Sequence, residues 1–373
     1  MEDWELFWTT LEENYPFGDV MRRTLGKTLA DIEAEYRPAA ERAQSAEELL
    51  AVLLDVSEEF GWTGHLTVHT AEWYNHWRDA FCGTEEELGR MSSYIGSLLD
   101  NEKSRALYGG TDAAQGETAE DGEQEPNLSF AYYPEQKAAY VEVRRMNPDG
   151  GDWAAEEQKL LDFYRTIEAE GYEHCIIDIR RNPGGDTGYT NILAGPNLTR
   201  SHYQQHYTLI NYGEAVQAYY DVLGINRGEV WPVDSLPLEE LPALEPGDLE
   251  WATHFRKMTM LMGAKFQQPA FTGRFWVLIG PNNYSASEYF AVFCKDSGFA
   301  TLVGRRTSGD GIGINPMPCV LPNSGVVYQF TTMHGLNLDG GSNEELGTAP
   351  DIEVPEGEDA LEACLRAIEE AEP

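Results

Sequence analysis

Residues 274–304 read RFWVLIGPNNYSASEYFAVFCKDSGFATLVG, and this stretch decides the fold class. RFWVLIG is an apolar run of strand length. The Pro-Asn-Asn segment after it is turn chemistry, and SASEYFAVFCKD reads as a helix before a second strand, ATLVG. Strand, helix and strand in that order are the unit of α/β proteins.

Working outward, AAYVEVRRM (138–146) reads as a strand and WAAEEQKLLDFYRTIEAEG (153–171) as an amphipathic helix. HCIIDIR (174–180) is a buried strand that runs into Asn182-Pro183-Gly184-Gly185. Downstream, VVYQFTTM (326–333) is expected to continue the β/α alternation, and EDALEACLRAIEEAE (358–372) closes the chain as a helix. The first hundred residues are helical in character. Trp4, Phe7, Leu11 and Tyr15 fall on one face of a 3.6-residue period, and Ser45 with Glu48 forms a capping-box pattern. Gly61-Trp62-Thr63-Gly64-His65-Leu66 then marks a turn into a short strand, LTVHT. The expected organisation is a helical subdomain at 1–110, an acidic linker at 111–126 and an α/β core at 127–373. Pro232, Pro237, Pro242 and Pro246 mark residues 226–250 as an irregular insertion or lid within that core.

Composition bounds the function. Lys and Arg number 26 against 64 Asp and Glu, a formal charge of −38, which repels nucleic acid and anionic membrane. With 42% hydrophobic and 11% aromatic residues the chain still has the makings of a packed globule. No apolar run has the length of a membrane-spanning helix. The N-terminus lacks the basic and apolar regions of a secretion signal, so the expectation is a cytoplasmic chain, or an extracytoplasmic one whose leader has been removed. Cys82, Cys175, Cys294, Cys319 and Cys364 are scattered without a CxxC pair, which points to free thiols rather than disulfides or a zinc knuckle.

HExxH, GxSxG and P-loop motifs are absent, and Pro316 and Pro318 follow the GxGxG at 309–313 where a dinucleotide fold needs a helix. Two segments hold candidate chemistry. Gly184 and Gly185 after a buried strand can expose N–H groups to an oxyanion, or can form a plain strand-to-helix turn. In Tyr284-Ser285-Ala286-Ser287-Glu288, a serine between strand and helix can serve as a nucleophile beside the Ala286 N–H, or can cap the helix. His65 stands in a glycine-flanked turn where a base could reach a cleft, with His69, His174 and His334 as rivals. Glu344, in GGSNEELG (340–347), is one of many acids.

Taken together, IIDIRRNPGG (176–185), FWVLIGPNNYSASEYFAVFCKDSGFATLVGRRTSG (275–309) and LDGGSNEELGTAPDIEV (338–354) resemble the C-terminal-processing (tail-specific) serine peptidases, including the tricorn protease core. The resemblance implies a crotonase-like ββα core with an N-terminal helical subdomain. It also implies peptide-bond hydrolysis through an acyl-enzyme on Ser285, with Ala286 and the Gly184-Gly185 turn as oxyanion donors. Most of that family carries a general-base lysine twenty-five residues after the serine, and here that position is Asp310. The tricorn-like branch uses a histidine and a glutamate instead, positions that His65 and Glu344 match. No metal or organic cofactor is implied, and the partner is a peptide or protein substrate. The short distance from His65 to Ser129 leaves no room for the PDZ domain of other family members. A catalytically silent binding module of the same fold, like the retinoid-binding proteins that resemble this family, and an esterase are the alternatives. Oligomeric state is not legible.

Overall fold

The computed structural model describes residues 1–81, 90–109 and 125–371. Cys82 and nearly all of the acidic segment at 111–126 lie outside the described residues. The chain divides into two compact units. The first comprises Met1–Gly122, Tyr207–Lys257 and Gly313–Gly341, and the second Glu123–His206, Met258–Ile312 and Ser342–Pro373.

The first unit begins with helices at Glu2–Asn14, Gly18–Thr24, Leu29–Ala40 and Ala46–Glu59. Trp4, Phe7, Leu11 and Tyr15 are fully buried together, as the spacing requires. Ser45 accepts the Glu48 N–H (3.2 Å), while the Glu48 carboxylate takes the N–H of Gln44 (2.7 Å), one residue earlier than a capping box would have it. The reciprocal box is found at Thr28 and Asp31. VVYQFTTM does not extend the main α/β alternation. Its strand, Val327–Phe330, lies between Thr67–Val68 and Met317–Val320 in a three-stranded antiparallel sheet. The reason is its surroundings: Tyr328 and Phe330 are buried in the aromatic cluster of Phe7, Tyr15 and Phe60. Residues 226–250 form three single-turn 3-10 helices, a two-residue strand and most of the short helix Pro246–Trp251. The buried Asp248 pairs with Arg23, and the Trp251 indole donates to the Tyr15 carbonyl (2.7 Å).

The second unit is built on a six-stranded mixed sheet. Its order is Ile352–Glu353, Ala300–Gly304, Arg274–Ile279, His174–Asp178, Ala138–Val143 and Leu128–Tyr133. All neighbours are parallel except the last pair. Phe275, Val277 and Ile279 point into one core with the helices Trp153–Ala169 and Ala286–Ser297. Trp276 and Leu278 point into another with Cys364 and Ile368 of the helix Ala360–Ala371. Burial on both faces explains why these strands read as unbroken apolar runs rather than alternating ones. Cys175, Cys294 and Cys364 are buried free thiols, and Cys319 is a partly buried one. Burial pushes the Cys319 and Cys364 thiols up to about 12, which suits packing rather than reactivity.

Candidate active site

Ser285 joins the strand Arg274–Ile279 to the helix Ala286–Ser297 through a sharp turn. Its backbone is at φ 59° and ψ −122°, a conformation that costs an L-residue on the order of 1–3 kcal/mol. Two bonds hold it there: its N–H donates to the Gly309 carbonyl (3.1 Å), and its carbonyl accepts the Tyr289 N–H (2.8 Å). Ser285 occupies the N-cap position, yet its side chain makes no capping hydrogen bond. The hydroxyl stands half-buried at the positive end of a helix. Ser287 is the structural serine of the pair. It is fully buried, donates to the Asn182 carbonyl (2.8 Å) and accepts the Tyr284 N–H (3.0 Å).

The glycine turn is held against this elbow by two buried asparagines. Asn182 accepts the Gly184 N–H (2.9 Å) and donates to the Val143 carbonyl (3.1 Å). Asn283 donates to the carbonyls of Ile179 and Asn182 and accepts the Gly280 N–H (2.8 Å). Gly184 (φ 121°) and Gly185 (φ 137°) adopt backbone that other residues rarely reach. A Cβ on Gly184 would lie 2.8 Å from the Tyr284 carbonyl and 3.3 Å from the Ala286 nitrogen. Since the Gly184 N–H is used inside its own turn, the donors without a hydrogen-bond partner among the described residues are those of Gly185 and Ala286.

Two carboxylates gather around one tyrosine. The Tyr284 hydroxyl lies 3.3 Å from Asp310 Oδ2 and 3.4 Å from Glu344 Oε2. Gly309 permits the approach, because a Cβ there would meet the Asn343 carbonyl at 2.1 Å. Beneath them, Glu288 Oε1 accepts from the Asn343 amide (2.8 Å) and the Thr348 hydroxyl (2.7 Å), and Asn343 also accepts the Gly311 N–H (2.9 Å). Glu288 is fully buried, and burial pushes its carboxyl above its ordinary value of 4.5; the bonds from Thr307, Thr348 and Asn343 and the charge of Arg306 oppose the shift.

His65 belongs to the first unit. It too has a left-handed backbone, φ 53°, in a turn that also holds Trp62 (φ 71°) and Gly64 (φ 58°). Its Nδ1 lies 3.1 Å from the Thr331 hydroxyl, and the Thr331 N–H donates to the Gly64 carbonyl (2.6 Å). The rival histidines are core residues. His69 is buried at 3.2 Å from Gln329, with its imidazole pulled down to about 4 by burial. His174 accepts from the Trp276 indole (3.2 Å), and His334 packs on the Phe17 ring. His65, by contrast, is partly exposed.

The second unit therefore brings together Ser285, Ala286, Gly184, Gly185, Glu344 and Asp310, while His65 lies in the first. Sequence reasoning passed over Asn283, Tyr284 and the buried role of Glu288. The available signal was a pair of asparagines closing an apolar strand, since an unpaired amide is costly to bury. Among the described residues no group of three or more His, Cys, Asp or Glu could hold a metal ion. No helix among them is long and apolar enough to cross a membrane.

The family model "Peptidase family S41" matches residues 137–354. Several solved structures share the fold. A candidate peptidase from Parabacteroides merdae ATCC 43184 is 17% identical, with 98% of this chain and 95% of that one covered at a TM-score of 0.59. Mature CPAF is 15% identical, with 95% and 92% covered at a TM-score of 0.56. A lipoprotein from Streptococcus agalactiae is 11% identical, with 99% and 96% covered at a TM-score of 0.51. No curated protein matches the chain.

Proposed function

The chain belongs to peptidase family S41 and is a serine-type peptidase acting on peptide or protein substrates, and from that premise we propose that Ser285 is its nucleophile. Ser285 Oγ attacks the scissile carbonyl while its proton passes to His65. The carbonyl oxygen becomes an oxyanion received by the N–H groups of Ala286 and of the Gly184-Gly185 turn, with Gly185 as the turn's donor. Collapse of the tetrahedral intermediate returns the proton to the departing amine and leaves an acyl-enzyme. Water, deprotonated by the same base, then releases the carboxylate product and restores the serine. Glu344 orients or polarises the site, and Asp310 stands where most of the family has its lysine. In the tautomer whose Nδ1–H donates to the Thr331 hydroxyl, 3.1 Å away, Nε2 carries the lone pair that accepts the proton. We assign the second unit to the crotonase-like ββα type, a reading supported by its parallel strands alternating with helices.

The observation that carries this reading is the uncapped Ser285 hydroxyl on a left-handed backbone at a helix N-terminus, with two positive-φ glycines against it. Strain of this kind is held where geometry serves chemistry. A fluorophosphonate probe tests it. Wild type should label and hydrolyse an unstructured protein substrate, whereas Ser285→Ala should do neither at an unchanged far-UV spectrum. Equal labelling of Ser285→Ala would move the nucleophile elsewhere.

A further inference from the structure

A cavity of about 440 Å³ opens in the second unit at the carboxyl ends of the strands His174–Asp178, Arg274–Ile279 and Ala300–Gly304. Tyr140, Asp178, Arg180, Arg181 and Arg305 line it, and Gly280-Pro281-Asn282 forms one wall. Crevices at the carboxyl ends of parallel strands are where open α/β sheets take up ligands, and this volume is that of a small-molecule site. Three arginines stand in the lining beside three acids, Glu142, Asp178 and Glu358, a higher share of positive charge than the chain's 26 basic against 64 acidic residues.

Their partners divide them into two kinds. Arg180 is locked: Asp178 accepts from its Nε (3.0 Å) and Nη2 (2.7 Å) and also from the Tyr140 hydroxyl (2.9 Å). This group forms a neutral, rigid floor. Arg181 and Arg305 are held loosely. Arg181 reaches Glu125 at 3.3 Å and Glu142 at 3.5 Å, and Arg305 reaches Glu356 at 3.5 Å, a residue 91% exposed. Exposed pairs at such distances contribute little, so exchanging them for a ligand costs little. Of the cavity's acids, Glu142 is held by Arg144 at 2.8 Å, whereas Glu358 and the exposed Arg366, 3.7 Å apart, are paired as loosely as Arg305 and Glu356. Arg181 and Arg305 are therefore the cations of the lining that can exchange their carboxylate partners for a ligand.

We propose that this cavity binds a small molecule through a carboxylate or phosphate group, gripped by Arg181 and Arg305. Guanidinium forks match both oxyanions. The site is distinct from the serine's own and does not rest on the peptidase reading, although its wall leads through Asn283 and Tyr284 into Ser285.

The test is thermal unfolding of the full chain, in the Ser285→Ala background, titrated at constant ionic strength with chloride as the balancing anion. The probes are inorganic phosphate, a short acetylated peptide with a free carboxylate, and the same peptide as its amide. A saturable rise in melting temperature with phosphate or the free-carboxylate peptide, and none with the amide, is expected. Arg181→Gln and Arg305→Gln, both at exposed positions, should each weaken the apparent affinity by about tenfold. Response to phosphate alone would identify a phosphorylated ligand, response to the free-carboxylate peptide alone a carboxylate ligand, and response to both the shared chemistry. No saturable shift with any probe, or a shift unchanged in both variants, would overturn the proposal.

Discussion

Gly184 stands so close to Ser285 that a Cβ on the glycine would lie 3.1 Å from that of the serine. The contact joins the ends of two neighbouring parallel strands, and in the proposed mechanism the closeness of these backbones sets where the oxyanion sits.

Gly184→Ala, whose Cβ would push the turn away from the Ala286 N–H, should therefore lower kcat by about 100-fold or more, the scale of losing an oxyanion donor, with little change in KM. The φ of 121° adds on the order of 1–3 kcal/mol of strain, visible as a lower melting temperature. A variant with wild-type kcat would separate the turn from catalysis.

At position 285 the backbone predicts an inversion of the usual order of stability. Ser285→Gly should melt higher than Ser285→Ala, by about 1 kcal/mol, because glycine adopts φ 59° without strain. Both should be inactive. Ser287→Ala should instead lose about 1–3 kcal/mol of stability with its buried bond to Asn182, and keep measurable turnover.

The choice of base can be read from a pair of variants. With His65 accepting the proton, Thr331→Val should lower kcat several-fold at unchanged KM, because it removes the hydroxyl at Nδ1. Asp310→Asn should then retain more activity than His65→Ala. The reverse ranking would assign the base to Asp310.

Glu288 carries a pH dependence of stability. Its carboxyl is raised in the folded state above the ordinary 4.5, so the folded chain binds the proton more tightly than the unfolded one. Its contribution to stability is full below pH 4.5 and falls as pH rises through the folded value. Glu288→Gln, which keeps an acceptor for Asn343 and Thr348, should flatten the fall in melting temperature on that side. An unchanged slope would mean that the carboxyl is not the titrating group.

What the sequence determined by itself is what neighbours along the chain decide. Trp4, Phe7, Leu11 and Tyr15 announce a buried helical face through a local period, and RFWVLIG and HCIIDIR announce doubly covered strands through unbroken apolar runs. The serine and the glycine pair were legible as motifs, whereas the role of Asn283 was not. Tertiary structure decided the rest. VVYQFTTM satisfies a strand's local preferences in either sheet, and only the aromatic cluster around Tyr328 and Phe330 selects the sheet with Thr67–Val68. Whether Ser285 caps its helix or stands clear depends on a carbonyl at Gly309 and a turn held by Asn182 and Asn283. His65 differs from His69 by burial, which four residues of spacing do not reveal. Hydrogen bonds and burial between distant segments set these outcomes, and no local pattern encodes the energy of a contact whose partner lies far along the chain.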